Sequence, residues 1–299
     1  MGLSRARAGA LSVLLIDTYS LFFRAFYALP PMNTLDGEPT QALYGFSSLL
    51  LKLLREERPS GVAFALDRPE PTFRHQAYAG YKGTRDAVPS SLALQFRNLE
   101  RLLDALRLPR FSVRGFEADD VLATLASELS SAGEHALIAT GDRDMLQLVS
   151  PLVSVLFMGQ RGKPAKLYDE AAVHERFGIS PRVLPLYAAL VGDSSDNIPK
   201  VKGVGPVAAQ KLSLQFGDVQ TLLAQVQQID NARLRQIICD HAEQLRASEH
   251  LIRLRHDVPL PDGPHHAALT AEAGPDTRAL FAELEFKSLL PRLDALLKT

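Results

Sequence analysis

The sequence predicts an α/β fold: a central, mostly parallel sheet flanked by helices, followed by a helical C-terminal part. Three observations carry that prediction. Short continuous apolar runs end at an aspartate three times: residues 11–16 before Asp17, 61–66 before Asp67 and 135–141 before Asp142. Amphipathic helical stretches separate these runs, as parallel strands joined by crossovers require. From about Ser180 the pattern is helical throughout.

Taken in order, each apolar run is short, uninterrupted and free of alternation, which is the pattern of a strand buried on both faces. The intervening helices show their buried stripes in Phe46, Leu49, Leu50, Leu53 and Leu54, and again in Leu92, Phe96, Leu99, Leu103 and Leu106. A further helix starts near Glu117, buries Val121, Leu122, Leu125 and Leu129, and ends at Gly133. Residues 67–91 show only weak periodicity and are rich in Pro, Gly, Arg, Lys and Tyr, so they read as a mobile excursion over the sheet edge. A helix through Val183, Leu186, Tyr187 and Leu190 leads to Asp193, a Gly-rich hairpin and a helix through Leu212. A Pro/Gly/His-rich break at 259–266 reads as a surface linker. The expected division is a catalytic α/β domain at 1–179, with a mobile basic arch at 68–91, and a helical subdomain at 180–299.

Composition excludes several classes. With 46% hydrophobic and 22% charged residues over 299 positions, the chain is long enough for a real core. The apolar run at 11–16 is too short for a membrane span and lacks a signal-cleavage pattern. The basic start at Arg5 and Arg7 reads as a loose terminus. The single cysteine, Cys239, fits a reducing cytoplasm and reads as a small buried hydrophobe. Net charge is only −1, but if nine of the 34 acids serve one metal site, the remaining surface is basic.

The carboxylates are the strongest signal. In open α/β sheets the ligand site lies beyond the carboxyl ends of the strands, where Asp17, Asp67 and Asp142 fall. Further acids cluster as Glu117, Asp119 and Asp120, as Asp142 and Asp144, and as Asp193 and Asp196. Glu117 and Asp120 share a helix face, Asp142 and Asp144 one side of an extended segment, and Asp193 and Asp196 one helical turn. Each pair alone has an ordinary reading as a helix cap or turn. Converging on one edge, they repel unless cations neutralise them. No Cys/His ligand set competes, so hard oxygen-bound cations, Mg²⁺ or Mn²⁺, are expected. Two such ions suit in-line attack on a phosphodiester.

Residues 73–86 interleave Arg74, His75, Lys82 and Arg85 with Tyr78 and Tyr81, a mixture suited to phosphate contact and base stacking. The ordinary reading is a solvated loop with half-buried tyrosines. Its position directly after a strand-end aspartate favours function. Farther on, Gly203, Val204 and Gly205 sit between two helices, flanked by Lys200, Lys202 and Lys211. Glycines let a phosphate backbone approach closely, and the next helix start offers free N–H groups. Such a unit grips nucleic acid without reading bases.

The motifs Leu-Ile-Asp17, Gly-Glu-Pro-Thr-Gln-Ala-Leu-Tyr-Gly45, Phe-Arg74, Tyr-Lys82-Gly-Thr-Arg85, Gly-Phe-Glu117-Ala-Asp-Asp120, Thr-Gly-Asp142-Arg-Asp144 and Gly-Asp193-Ser-Ser-Asp-Asn-Ile-Pro199 follow one another in order. With them the sequence resembles the 5′-nuclease and flap-endonuclease family from about Val13 to Leu290. That family includes the N-terminal exonuclease domain of bacterial DNA polymerase I, and the likeness to that domain is strongest. The resemblance implies a PIN-like sheet and a two-metal phosphodiester hydrolase leaving a 5′-phosphate and a 3′-hydroxyl. It implies that Asp17, Asp67, Glu117, Asp119 and Asp120 surround one metal position. Asp142, Asp144, Asp193 and Asp196 surround the second, some through water. It implies that Lys82 and Arg85 steady the transition-state charge with help from Arg74. Tyr27 stacks near the scissile nucleotide, and Arg24 is expected at the DNA beside it. The hairpin resembles a unit that grips duplex DNA, with K⁺ bound there. Substrates implied are DNA with 5′ ends, flaps or branches, including RNA primers on DNA, in a bacterial-type cytoplasm. Two departures stand out: Val207 replaces a lysine the family usually carries after the hairpin glycines, and the likeness stops near Leu290, before any polymerase portion.

Two other function classes compete. A structure-specific DNA-binding protein with weak catalysis would have lost second-metal acids, and all of them are present. A PIN-like ribonuclease would lack the hairpin at Gly203 and Gly205.

Overall fold

The three predicted strands form the centre of one sheet in the computed structural model, which describes residues 12–159 and 164–298. Leu11, Arg5 and Arg7 lie outside the described residues. Strand β1 (Ser12–Asp17) is central, pairing in parallel with β2 (Gly61–Ala65), and β3 (Arg110–Phe111) extends the sheet beyond β2. On the other side β1 pairs with β4 (His135–Thr140), followed by β5 (Val153–Phe157) and the antiparallel edge strand β6 (Lys166–Tyr168). The resulting order is β3-β2-β1-β4-β5-β6. Sequence reading missed β3, β5 and β6. β3 is two residues long and β6 three, too short for a periodic signal, and β5 is a five-residue apolar run that length alone does not separate from helix.

Register explains why the strands read as unbroken apolar runs. Leu14, Ile16, Phe64, Leu137 and Ala139 enter one core layer, while Val13, Leu15, Ala63, Ala136 and Ile138 enter the opposite one. Both faces are covered, so alternation disappears. The first layer is closed by helices Thr18–Ala28, Gln41–Glu57 and Phe96–Leu106, the second by helix Ala118–Ser131 and the 3₁₀ turn Asp144–Leu148. Each fully buried Leu, Ile or Phe here contributes about 1.5–3 kcal/mol of transfer free energy. The register sets Asp17 beside Ala65 and Ile16 beside Ala139, so Asp17, Asp67 and Asp142 leave the sheet at the same edge.

A separate apolar cluster unites helices Leu184–Val191, Pro206–Phe216, Val219–Ala224, Ala232–Asp240 and Ala242–Ile252. This helical part does not run to the C-terminus as the 180–299 division expected. After Val258 the chain returns to the sheet: Ala267 bridges to Val62, and helices Gly274–Glu283 and Leu290–Leu296 pack on Phe96–Leu106 and Gln41–Glu57. Leu280, Phe281 and Leu293 from these helices, with Phe286 from the turn between them, complete the first core layer. The 259–266 stretch is the linker that makes this return.

The expected mobile arch at 68–91 is anchored in its first half. It contains a short helix, Phe73–Ala77, and Tyr81 is buried in the helical cluster. Residues 83–88 form its longest continuous exposed stretch. Cys239 also departs from expectation: it is exposed on helix Ala232–Asp240, whose buried side is Ile238. No described helix is long and apolar enough to cross a membrane.

Candidate metal centre and nucleic-acid interface

Each strand-end aspartate is held by a local bond that also tells the chain where to turn. Asp17 caps helix Thr18–Ala28, accepting from Ser20 N at 3.3 Å, while its other oxygen accepts from Thr140 Oγ1 at 2.5 Å. Thr140 Oγ1 in turn accepts from Asp142 N at 2.8 Å, which links the ends of β1 and β4. Asp67 accepts from Ala118 N at 2.8 Å and so ties the end of β2 to the start of helix Ala118–Ser131. Asp142 accepts from Asp144 N at 2.9 Å, folding the Asp-Arg-Asp segment into a turn. Asp193 accepts from Ser195 N at 2.6 Å and Ser195 Oγ at 2.7 Å. A carboxylate has about four lone-pair sites, so each of these groups keeps acceptor capacity beyond the bonds named here.

The electrostatics show a strained anionic pit. Burial, opposed by Thr140 and reinforced by Asp67 and Asp142, pushes the Asp17 carboxyl up to about 7. Burial and then Asp142 and Asp17 raise Asp119 well above the carboxylate range. Burial and then Asp142 and Asp193 do the same for Asp144. Asp142 and Asp67 are raised as well, again by burial first. Water reaches Asp67 and Asp142, yet Glu117 repels the first and Asp196 and Asp193 the second. A set of oxygen-only donors that resists ionisation suits hard divalent cations, because their charge removes the repulsion. Among the described residues, no group of three or more Asp, Glu, His or Cys side chains is drawn in to hold an ion as it stands.

Four basic or phenolic side chains take up the remaining acids. Lys82 Nζ lies 2.9 Å from Glu117 Oε1, and Arg85 Nη2 lies 2.7 Å from Asp196 Oδ1. The Tyr81 hydroxyl is 2.9 Å from Glu117 Oε2 and 2.8 Å from Asp196 Oδ2, and its one proton serves one carboxylate at a time. Burial would lower the Lys82 ammonium pKa, but Glu117, Asp196 and Asp119 outweigh it and raise it. Arg74, 1% exposed, forms a bidentate pair with Asp120, Nη1 to Oδ2 at 2.7 Å and Nη2 to Oδ1 at 2.8 Å.

That pair corrects two expectations. Asp120, 0% exposed, also accepts from Glu117 N at 3.1 Å and Arg255 N at 2.9 Å, so no oxygen faces the pit and it is not a metal ligand. Arg74 donates to Leu251 O at 2.7 Å from the opposite side of the guanidinium, so it does not reach a substrate phosphate. Tyr81, buried and bonded to two acids, offers no ring face for a base. Val204 is likewise buried and donates its N–H to Val201 O, so it holds the hairpin turn together.

The other expected contacts lie at accessible positions. Tyr27 is 48% exposed at the end of helix Thr18–Ala28, with Arg24 half-buried one turn earlier, and Tyr78 is half-buried beside Gly80. Lys200, Lys202 and Lys211 are exposed around the hairpin, as is Val207. Gly203 takes φ +91°, and Gly205 caps helix Pro206–Phe216, leaving its first N–H groups facing out. Sequence reading overlooked Thr140, Ser20 and Asn197. Asn197, at φ 58°, donates to Gly80 O at 2.8 Å and joins the arch to the Asp193 loop, and Ser20 Oγ accepts from Gly141 N at 3.0 Å. Thr140 stood in the Thr-Gly-Asp motif, but a hydroxyl in that position has no signal of its own.

Comparison with known proteins gives matches along nearly the whole chain. Residues 12–178 match the family model described as 5′-3′ exonuclease, N-terminal resolvase-like domain, and residues 179–274 match 5′-3′ exonuclease, C-terminal SAM fold. DNA polymerase I of Bacillus caldotenax is 38% identical over 283 residues, covering 95% of this chain and 32% of that protein. The chain thus spans about a third of the length of the curated relatives it matches. Among solved structures, T5 5′-exonuclease with bound zinc has a TM-score of 0.64 at 20% identity, covering 96% of this chain and 98% of the other. The catalytic core of Rad2 in complex with DNA substrate has a TM-score of 0.60 at 17% identity, covering 97% and 93%. These likenesses establish the shared fold.

Proposed function

Because the chain belongs to the 5′-3′ exonuclease family, we propose that it is a structure-specific nuclease hydrolysing DNA at 5′ ends, 5′ flaps and branch points. Primer removal and repair of DNA in a bacterial cytoplasm are the matching tasks. The observation that carries this reading is the convergence of Asp17, Asp67, Asp119, Asp142, Asp144 and Asp193 at one strand edge, beneath Lys82 and Arg85. Asp17, Asp67, Glu117 and Asp119 would hold one divalent ion, and Asp142, Asp144, Asp193 and Asp196 a second. Mg²⁺ or Mn²⁺ bound there would neutralise the pit, draw in the phosphate and activate water. Hydrolysis breaks the bond between phosphorus and the 3′ oxygen, leaving a 5′-phosphate and a 3′-hydroxyl.

The chain's own cations supply the rest. Lys82 stays protonated, and since an ammonium has three donors, the bond to Glu117 leaves two for phosphate oxygens. Arg85 is half-exposed and offers its planar fork to the same phosphate. Lys200, Lys202 and Lys211, with the helix start at Pro206, hold duplex backbone without reading sequence, and the hairpin would hold a K⁺. Tyr27 stacks on the nucleotide near the cut, with Arg24 behind it. Tyr78, half-buried in the arch, contacts DNA beside it.

The decisive experiment is cleavage of a 5′-labelled flap duplex in EDTA, Mg²⁺ or Mn²⁺ with every product mapped. Metal-dependent cuts at the junction, abolished in Asp142→Asn with duplex binding retained, are expected. Binding without cleavage in any metal would overturn the proposal in favour of a DNA-binding protein. Preference for single-stranded RNA would favour a ribonuclease.

A further inference from the structure

One short segment of the helical part is held, backbone atom by backbone atom, by side chains from three separate pieces of the metal centre. The segment is the exit of helix Ala242–Ile252, residues 251–255. Arg74 Nε donates to Leu251 O at 2.7 Å, and Asp120 Oδ1 accepts from Arg255 N at 2.9 Å. Gln147 makes the remaining link with both ends of its amide: Nε2 donates to Ile252 O at 3.1 Å, and Oε1 accepts from Leu254 N at 3.2 Å. The same Nε2 donates to Asp144 O at 3.0 Å, inside its own 3₁₀ turn.

Each of these three side chains sits next to residues of the pit. Arg74 begins the segment that leads to Lys82 and Arg85. Asp120 follows Asp119 and bonds the Glu117 N–H. Gln147 shares the turn Asp144–Leu148 with Asp144. A 120 Å³ pocket lined by Asp144, Gln147, Tyr187 and Ile252 borders that turn. The Gln147 amide is the hydrogen-bonded support at that point.

We propose that Gln147 is a positioning residue: it fixes the Asp144 turn against residues 252–254, so that docking of the helical part sets the geometry of the second metal position. This rests on the proposed metal-dependent function. Side chains that orient ligand segments without touching the ion are known to govern affinity as strongly as many ligands do.

The test measures Mn²⁺ binding to the full chain by electron paramagnetic resonance, flap-duplex affinity in Ca²⁺, and turnover in Mg²⁺, for wild type and Gln147→Ala. Expected is a loss of Mn²⁺ affinity and of kcat of roughly tenfold or more, with duplex affinity unchanged. A Mn²⁺ isotherm and kcat within about twofold of wild type, whatever the change in Tm, would overturn the proposal, since a purely structural support lowers stability alone. If Gln147→Ala does not fold, Gln147→Met keeps the volume without the amide and is read the same way. Wild type that neither binds Mn²⁺ nor cleaves would instead overturn the proposed function.

Discussion

Asp119 and Asp120 are neighbours in sequence and opposites in physics. Asp119 is raised by burial and by Asp142 and Asp17, with Lys82 only partly offsetting them. Asp120 is matched by the Arg74 fork and two backbone N–H groups. The two asparagine variants therefore shift metal-free stability in opposite directions. Asp119→Asn relieves repulsion and raises the denaturation midpoint in EDTA while abolishing cleavage. Asp120→Asn removes the bidentate counter-charge of a buried guanidinium, leaving it only Glu117 at 3.2 Å, and costs about 3–5 kcal/mol. Urea melts in EDTA decide it: equal losses in both variants would mean Asp119 is structural too. Lys82→Ala belongs to the same scale. Its removal is expected to lower kcat by about 10²-fold or more with little change in duplex affinity. A change confined to affinity would make Lys82 a binding residue only.

At the scale of elements, the hairpin between helices Leu184–Val191 and Pro206–Phe216 depends on a glycine outside the Gly-x-Gly motif. Gly192 ends the first helix at φ 75° and ψ 170°, a region closed to side chains. A Cβ there would stand 2.6 Å from Lys200 N and 2.8 Å from Ile198 O, both rigid backbone atoms. Gly192→Ala is expected to destabilise the hairpin by about 1–3 kcal/mol and to weaken duplex binding, with kcat retained at saturating DNA. Binding titrations and melts check both. An unchanged affinity would show that the hairpin does not grip DNA. The strands illustrate the complementary case. β1, β2 and β4 were legible because double-sided burial writes them as apolar runs, whereas β3 and β6 exist only because neighbouring strands offer them partners.

For the whole molecule, the pit makes stability depend jointly on pH and on metal. Asp17 is raised from 3.8 to about 7, so between those values the folded chain keeps a proton that the unfolded chain releases. Folding stability is therefore fullest at low pH in this respect and falls as pH rises through that window. Asp119, Asp142 and Asp144 act in the same direction. Melts in EDTA should give a higher Tm at about pH 5.5 than at about pH 8, and saturating Mg²⁺ should flatten or reverse that slope. A Tm in EDTA that rises with pH would mean the carboxylates are not crowded in solution.

By itself the sequence determined the three central strands of the sheet, the edge at which Asp17, Asp67 and Asp142 gather, and the hairpin with its lysines. Burial pattern and chain direction are local properties, and they place those residues without reference to distant partners. Only the tertiary structure decided which acids face the pit and which are spent holding the fold. Asp120 is satisfied by Arg74 and Arg255, and Tyr81 is drawn in between Glu117 and Asp196, partners far away along the chain. Charge pairing across such separations leaves no periodic trace. The return of the C-terminal helices to the first core layer was hidden for the same reason, because an amphipathic helix shows that it has a buried face and not which layer covers it.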